Sequence, residues 1–416
     1  MSRPDIPTAK FYSAFVDQLR SSIESLHEYV GGAVKSEILR NREYFLRLFD
    51  KAVKAGYQYG LLSSGLLELR CPDNARVLCE YLKEKIEEGL DKAGRPKPEK
   101  VYELLSSVSR RGVKDLCDEV GKTRGIDTTS IPLCRESKKV EDLISFDNLT
   151  KMMTYVLANK ILAYKILELH YGGLIPQLKP VRLGEDVAVD GKKIRIFSTS
   201  DVIEVLNSVF RLASSNIEKA LEVKDFKPIF ETGLYDEIIL SGAESINRVN
   251  AIIDLADSWK EVLKNLPGIV GYVCENLLPS RERHQLGQFY TPPYIARLIV
   301  RWAVRSKSDR VLDGGCGSGT FLIEAYKRLL WLKFNKDYDK PEYPSCTKGY
   351  NENQEVLDQL YGVDINTFAS HLAGIHLMLM EPRCPISELH IYTNDYFALS
   401  RRMLGSSELA GSSTQS

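Results

Sequence analysis

The chain has 416 residues, a length typical of two or three domains, with the 44% hydrophobic and 27% charged residues of an ordinary globular protein. Basic and acidic residues both number 56, so the chain lacks the basic excess of a free-standing nucleic-acid-binding module. No stretch approaches the roughly 18 consecutive apolar residues of a transmembrane helix, and polar residues 1–10 do not resemble a signal peptide. These features predict a cytoplasmic protein with no membrane partner.

Residues 1–135 are predicted to form a helical region whose role the sequence does not indicate. One apolar stripe at helical spacing runs through Leu39, Tyr44, Phe45, Leu48, Phe49 and Val53. The segment 94–98, with two prolines and a glycine, predicts a break, and the polar segment 121–136 predicts a loop.

Residues 140–280 are predicted to form a second, mainly helical domain. The segment 146–170 has the apolar spacing of a strongly amphipathic helix. Near 187–197 the apolar period changes to two around Asp190-Gly191, which predicts a β-hairpin because Asp-Gly suits a type I′ turn. Helical patterns return over 201–263.

Residues 281–400 are predicted to form an α/β domain, followed by a disordered, small and polar tail at 401–416. Three short apolar strands, at 310–313, 359–366 and 388–392, alternate with helices over 320–333 and 368–380. Each strand has an acid at or shortly after its carboxyl end: Asp313, Asp364 and Asp395. Ligands bind at this edge of open α/β sheets, so the three acids predict one shared site.

The glycine loop after the first strand, 314–319, allows two cofactor interpretations. A dinucleotide requires G-x-G-x-x-G and an acid about 20 residues later. Here the glycines run G-x-G-x-G, an acid precedes them, and Asp364 lies 51 residues after Asp313. S-adenosylmethionine suits this pattern better, with the first acid for its ammonium, the second for its ribose hydroxyls and Asp395 for its adenine amine.

Several motifs in this region resemble the N6-adenine DNA methyltransferases of restriction–modification systems, in particular type I modification subunits and type IIG-like methylases. They are Leu286-Gly-Gln-Phe-Tyr-Thr-Pro-Pro293, Val311-Leu-Asp-Gly-Gly-Cys-Gly-Ser-Gly-Thr-Phe-Leu322, Tyr361-Gly-Val-Asp-Ile-Asn366 and Asn394-Asp-Tyr-Phe397. The resemblance implies an α/β Rossmann-type methyltransferase domain with an incomplete sheet, preceded by a mainly α-helical region with a β-hairpin.

The resemblance also implies which residues contact S-adenosylmethionine. These are Tyr290, Thr291, Asp313, Gly315, Cys316, Gly317, Gly319, Asp364, Ile365, Asp395 and Tyr396. The sequence departs from the family at Gly314, where proline is usual. Cys316 is interpreted as a packing residue of the loop rather than a nucleophile.

Adenine-N6 transfer in this family uses an [N/D/S]-P-P-[Y/F] tetrapeptide, which localises the lone pair of the amine and stacks on the flipped base. The sequence contains no such tetrapeptide, since its one Pro-Pro pair belongs to the upstream motif. We therefore expect no catalytic residue and no metal ligand here, and a cofactor-binding portion that is inactive alone.

Double-stranded DNA is the expected substrate, contacted through a missing or partner-supplied region. The expected partners are a complementary methyltransferase half or a specificity subunit. The alternatives are a truncated gene product or decayed fragment, one half of a split enzyme, a non-catalytic module that binds S-adenosylmethionine or other proteins, and a methyltransferase acting on RNA or protein.

Two further expectations concern surfaces and thiols. Arg297, Arg301 and Arg305 recur at helical spacing, either as a DNA-facing stripe or as a solvated face opposite apolar residues 295–302. An incomplete sheet predicts an unpaired edge strand, exposed apolar surface and association. The eight scattered cysteines form no C-x-x-C pair and are expected to be reduced.

Overall fold

The computed structural model describes residues 8–57, 59–62, 65–221, 230–264, 291–338, 342–347, 349–384 and 386–397. The predicted tail at 401–416 lies outside these ranges. The chain divides into two compact units. The first, called the helical unit, comprises His27–Thr154 and Glu237–Ser241. The second, called the sheet unit, comprises Met1–Leu26, Tyr155–Asp236 and Gly242–Ser416. The domain boundaries drawn from the sequence remain predictions.

The N-terminal half of the chain is mainly helical, as predicted. Its helices are α1 (Thr8–Arg40), α2 (Arg42–Lys54), α3 (Arg76–Glu87), α4 (Pro98–Ser109), α5 (Val113–Arg124) and α6 (Asp147–Tyr171). Two short strands, β1 (Glu68–Leu69) and β2 (Ile144–Ser145), pair antiparallel. Within the described residues, no helix has the length and apolar character that a bilayer crossing requires.

Local sequence signals set the ends of these helices. The Asn41 side chain caps α2 by accepting the Tyr44 N–H at 3.1 Å. The predicted apolar stripe is buried along α2 as far as Phe49, whereas Val53 is 44% exposed. Helix α5 extends to Arg124, so the loop predicted over 121–136 starts four residues too early.

Helix α6 confirms the predicted helix but not its amphipathic character. Every residue from Met152 to Leu167 is buried, so the helix is enclosed on all sides along its middle. Two of these residues are lysines, which need buried partners. Lys160 pairs with Asp236, and Lys165 pairs with Glu168 at 3.0 Å. The predicted solvated side of α6 is therefore buried, and the charges of its two lysines are neutralised inside the protein.

The next elements of the sheet unit follow the predicted order. Strands β3 (Asp186–Val189) and β4 (Lys192–Arg195) form an antiparallel hairpin. Asp190 and Gly191 at its tip have φ angles of 51° and 72°, which confirms the type I′ prediction. Helices α7 (Thr199–Leu221) and α8 (Gly242–Lys264) follow.

The C-terminal third contains the predicted alternation of strands and helices. Its elements are α9 (Pro293–Ala303), β5 (Val311–Asp313), α10 (Thr320–Phe334), β6 (Cys346–Thr347), β7 (Tyr350–Asn351), α11 (Glu352–Leu357), β8 (Leu360–Asp364), α12 (Thr367–Met378) and β9 (His390–Thr393). Strands β6 and β7 form a small antiparallel pair. Strands β5, β8 and β9 form a parallel sheet in that order, with β8 at its centre.

The sheet register brings the carboxyl ends of all three strands to one edge. Asp313 lies opposite Gly362, and Asp364 lies opposite Thr393. Helix α10 packs on β5 and β8, and α12 packs on β8 and β9. Helix α10 follows β5 in the chain, and helix α12 follows β8. The loops that join these strands to their helices therefore lie at this edge of the sheet.

Six of the eight cysteines are paired, so the expectation of reduced thiols is wrong for them. The disulfides join Cys71 to Cys79, Cys117 to Cys134 and Cys346 to Cys384. The partners are 8 to 38 residues apart in sequence and meet only in the fold, which is why spacing gave no signal. Cys316 is a free and buried thiol.

Candidate cofactor-binding site

The glycine loop turns directly from β5 into α10. The Cys316 N–H donates to the Val363 carbonyl at 3.0 Å, which anchors the loop to the central strand. Gly317 and Gly319 have φ angles of 52° and 88°, a region that side chains disfavour. A Cβ at Gly319 would also lie 3.1 Å from the Cβ of Ala373 on α12. These two positions therefore require glycine.

The first two loop residues, Gly314 and Gly315, differ in what faces them. A Cβ at Gly314 would lie 3.1 Å from the Tyr396 ring, so that ring packs against bare backbone. A Cβ at Gly315 would meet nothing within 4 Å. The structure thus brings Tyr396 to the loop and leaves open space beside Gly315.

Asp313 is the last residue of β5, and its two carboxylate oxygens differ in their hydrogen bonds. Its Oδ1 accepts the Gly315 N–H at 3.3 Å. Its Oδ2 is buried and has no hydrogen-bond partner within the described structure. Burial, reinforced by the negative charge of Asp364, raises the pKa of the Asp313 carboxyl above its usual range. A cation at Oδ2 would satisfy both the lone pair and the charge.

Asp364 joins the glycine loop to the end of β8. Its Oδ2 accepts the Gly317 N–H at 2.9 Å, and its Oδ1 accepts the Asn366 N–H at 2.8 Å. Asn366 in turn caps α12 by accepting the Phe368 N–H at 2.8 Å. The neighbouring Ile365 side chain is 61% exposed. One carboxylate therefore fixes the loop while an apolar side chain stands free beside it.

The third acid, Asp395, follows the end of β9. Its Oδ1 accepts the Phe397 N–H at 2.9 Å, which fixes the turn after the strand. The preceding Asn394 N–H donates to the backbone carbonyl of Asp364 at 2.9 Å. The turn after β9 is therefore bonded to the end of β8, and all three acids belong to one edge.

Cys316 is 5% exposed and packs inside the loop, where its Sγ would lie 3.2 Å from a Cβ at Gly362. Burial raises the pKa of the Cys316 thiol far above its usual range, which disfavours a nucleophilic thiolate. Tyr290 and the residues of the upstream motif before it lie outside the described ranges. Thr291 is half-buried just before α9. The roles of Tyr290 and Thr291 at this site stay predictions.

Two residues of the motif 361–366, Asn366 and Gly362, shape the site although the sequence assigned them no role. Asn366 caps α12, and an asparagine directly before a helix is the usual signal for such a cap. Gly362 leaves no room for a side chain, since its Cβ would lie 2.7 Å from Ile391 and 2.8 Å from Leu322. The motif contains Gly362 but does not reveal why glycine is needed, because the side chains that crowd it, Ile391 and Leu322, come from other elements. No group of three or more histidine, cysteine, aspartate or glutamate side chains suited to a metal occurs in the described part of the chain.

Residues 268–402 match the protein-family model described as N-6 DNA Methylase. The putative type II restriction enzyme and methyltransferase RM.MjaORFECS2P of Methanocaldococcus jannaschii is 26% identical over 297 residues, which are 55% of this chain and 25% of the relative. The type I restriction enzyme MjaVII methylase subunit of the same organism is 27% identical over 186 residues, which are 44% and 27% of the two chains. The type II restriction enzyme and methyltransferase RM.BcgI of Heyndrickxia coagulans is 30% identical over 101 residues, 24% of this chain and 14% of the relative.

The chain thus spans about a quarter of the length of the first two of these relatives. The matched residues 268–402 include the glycine loop and all three aspartates. The family predicted from the motifs is confirmed by these comparisons. Over residues 268–402, the chain is similar to the N-6 DNA methylase family.

Proposed function

We propose that the glycine loop and the three aspartates bind S-adenosylmethionine, and that residues 281–400 are the Rossmann-type, cofactor-binding portion of an adenine-N6 DNA methyltransferase. One observation carries the proposal. The Asp313 Oδ2 is buried without a partner, beside backbone at Gly315 that nothing covers. Buried polar atoms are nearly always hydrogen-bonded, so an unsatisfied carboxylate oxygen next to open space favours a cationic ligand there.

Asp313 would hold the methionyl ammonium in this proposal. An ammonium group carries a positive charge and three donors, which suit one free carboxylate oxygen. Gly315 would let the ligand approach the backbone closely, as glycine does elsewhere in strand-to-helix turns. Tyr396, packed on Gly314, would close the pocket at the side of the third strand.

Asp364 would hold the ribose. Each carboxylate oxygen offers two lone pairs, and each oxygen of Asp364 accepts one backbone N–H. One lone pair on each oxygen therefore remains for the two vicinal hydroxyls. Ile365 would offer its exposed side chain to the adenine face, and Asp395 would accept from the adenine amine.

The bound cofactor would supply a methyl group activated by its sulfonium charge. Adenine needs acceptors for its amine hydrogens, and the one Pro-Pro pair of the sequence lies at the start of α9. We therefore infer that those acceptors, and most of the contacts to double-stranded DNA, come from a region outside residues 1–416. A complementary methyltransferase half or a specificity subunit would fill that role, as the type I methylase subunits among the relatives suggest.

Calorimetric titration with S-adenosylmethionine tests the cofactor site. We expect binding by the unmutated protein and at least a tenfold weaker affinity for Asp313→Asn, because the charge-assisted bond to the ammonium is lost. Asp186→Asn is the matched control, since Asp186 pairs with Arg195 on the exposed hairpin and should leave the affinity unchanged. Absence of binding to the unmutated protein would refute the proposal and favour a scaffold for protein interactions.

Transfer of a labelled methyl group to DNA tests the second half of the proposal. We expect none from residues 1–416 alone, and adenine labelling once a chain carrying Asn-Pro-Pro-Tyr is added. Labelling of RNA or protein in place of DNA would contradict the substrate class. Methylation of DNA by residues 1–416 alone would contradict the need for a partner.

A further inference from the structure

Helix α12 packs directly against the end of the glycine loop. A Cβ at Gly319 would lie 3.1 Å from the Cβ of Ala373, so the bare backbone of the loop approaches the helix closely there. His376 follows Ala373 by three residues, which places both side chains on one face of α12. The Ser318 backbone, next to Gly319, lies beside the His376 ring. One face of α12 therefore supports the loop with Ala373 and His376.

The His376 ring is buried and neutral. It is 2% exposed, and burial lowers its pKa to about 4, although the neighbouring Ser318 backbone opposes this shift. A neutral imidazole has one N–H donor and one nitrogen acceptor. Within the part of the chain that the structure describes, neither ring nitrogen of His376 forms a hydrogen bond. The ring therefore lies beside a polar backbone group to which it is not bonded.

Buried polar groups without partners occur at both ends of the glycine loop. The Asp313 Oδ2 lies just before the loop, and the Ser318 Oγ lies near its end, where Ser318 is 1% exposed; neither has a hydrogen-bond partner in the described ranges. Between them, Asp364 accepts the Gly317 N–H at 2.9 Å. Such groups are rare, because each loses its hydration without a replacement. The loop is thus fixed near its centre, with unbonded polar groups on either side.

We propose that His376 is a positioning residue of the glycine loop: when the loop closes on its ligand, the His376 ring N–H donates to the Ser318 backbone carbonyl. His376 touches neither substrate nor cofactor in this arrangement and acts through Ser318. The bond holds the backbone of Gly317 and Gly319 against α12. The inference rests on the proposed cofactor site and assigns the residue that orders its loop.

The displacement that this bond requires is small. The Ser318 backbone already lies close enough to the ring to influence it. Gly319 places no side chain between the loop and Ala373, so the loop can approach α12 without a clash. A bond made only in the closed loop adds to ligand affinity and not to the stability of the protein without ligand. Substitution of His376 should therefore separate affinity from stability.

Titration with S-adenosylmethionine, combined with thermal unfolding of the protein without ligand, tests the inference. We expect His376→Leu to bind roughly tenfold more weakly, because the buried carbonyl loses its partner in the closed loop. Its unfolding midpoint should be unchanged or higher, since an unbonded buried ring is exchanged for an apolar side chain. A lower midpoint would mark a merely structural histidine and overturn the inference. His376→Gln keeps an N–H donor and should restore affinity to within about threefold of the unmutated protein.

Ser214→Ala is the matched control. Ser214 of α7 is 1% exposed, and its Oγ also lacks a partner among the described residues. Its replacement removes an unbonded buried polar group outside the loop and should leave the affinity unchanged. Ser318→Ala keeps the backbone carbonyl and should weaken binding much less than His376→Leu does. Equal weakening by these two substitutions would overturn the assignment of the bond to the carbonyl.

Nuclear magnetic resonance of the histidine side chains reports the bond directly. Among the six histidines, the signal of His376 is the one that disappears in His376→Gln. We expect its ring N–H proton to move downfield and to exchange more slowly at saturating S-adenosylmethionine. Binding without that change, or equal affinity of the unmutated protein and His376→Leu, would overturn the inference and leave the proposed cofactor site standing. Absence of binding by the unmutated protein would refute the cofactor site itself, and the inference with it.

Discussion

Replacing Asp364 should loosen the glycine loop before it affects the rest of the sheet unit. Its carboxylate accepts the N–H groups of Gly317 and Asn366 at 2.9 and 2.8 Å. A hydrogen bond to a charged acceptor contributes about 1.5–3 kcal/mol, and we take the lower end because Asp364 is half-buried. Asp364→Ala removes both bonds, about 3 kcal/mol in total. Asp364→Asn keeps one acceptor oxygen and should lose about half of that.

Amide hydrogen exchange measures this locally. About 1.5 kcal/mol corresponds to a roughly tenfold change in an opening equilibrium. We therefore expect about tenfold faster exchange at the amides of Gly317 and Asn366 in Asp364→Ala. In Asp364→Asn only the amide that faces the new NH₂ group should change. Affinity for S-adenosylmethionine should fall in both variants, and further in Asp364→Ala.

The matched control is Asp309→Ala. The Asp309 carboxylate also accepts two backbone N–H groups at 2.8 Å, those of Arg305 and Ser306, but it lies before β5, away from the carboxyl ends. Its replacement should speed exchange at those two amides and leave cofactor affinity unchanged. Unaltered exchange at Gly317 in Asp364→Ala would refute the view that this carboxylate holds the loop.

The remaining predictions concern charge and backbone around the same loop. The raised pKa of Asp313, caused by burial and then by Asp364, means that folding favours its protonated form; this stabilising contribution is complete below the unfolded pKa and is lost as pH rises through the folded pKa. At neutral pH Asp313→Asn should therefore raise the free energy of unfolding, by on the order of 1 kcal/mol, and urea titrations should show this gain vanish at low pH. Affinity for S-adenosylmethionine should fall on acidification in the unmutated protein and fall less steeply in Asp313→Asn; superimposable profiles would contradict the role of this charge. Gly319→Ala should cost about 1–2 kcal/mol of unfolding free energy, because φ is 88° and the new Cβ meets Ala373. Gly315→Ala, with open space around it, should preserve stability and weaken only cofactor binding; equal effects of the two substitutions in thermal melts would contradict this assignment.

The parts of the fold that the sequence predicted are those set by neighbours in the chain. The three parallel strands, their helices and the hairpin at Asp190 follow from local periodicity and turn chemistry. The shared edge of the three acids follows from them, because parallel strands align their carboxyl ends. Gly317 and Gly319 were recognisable because a strand-to-helix turn in so few residues requires positive φ angles.

The features that the sequence did not predict depend on residues far away in the chain. Apolar spacing predicted one buried side for helix α6, whereas its other side is buried too and Lys160 there is neutralised by Asp236, 76 residues later. One interpretation of helix α9 placed its apolar side against the protein and Arg297 in solvent. In the structure Arg297 pairs with the buried Glu324, and the apolar Leu298 is 68% exposed. Each error came from one ion pair whose partner no local pattern reveals.

The electrostatics of the glycine loop favour the proposed cofactor, S-adenosylmethionine, over a phosphate-bearing ligand. Two carboxylates meet at one loop, and the charge of Asp364 adds to the burial that already disfavours an ionised Asp313. A phosphate-bearing dinucleotide would bring further negative charge and meet repulsion, although the loop has the glycines to admit it. S-adenosylmethionine carries a sulfonium and an ammonium charge, and positive charge at this place would offset the repulsion between the two carboxylates. Titration with NAD and ATP should therefore show no binding under conditions in which S-adenosylmethionine binds. In Asp313→Asn, the affinities for S-adenosylmethionine and for the two phosphate-bearing ligands should lie closer together. Equal affinity for the two kinds of ligand would mean that the acids do not select the cofactor.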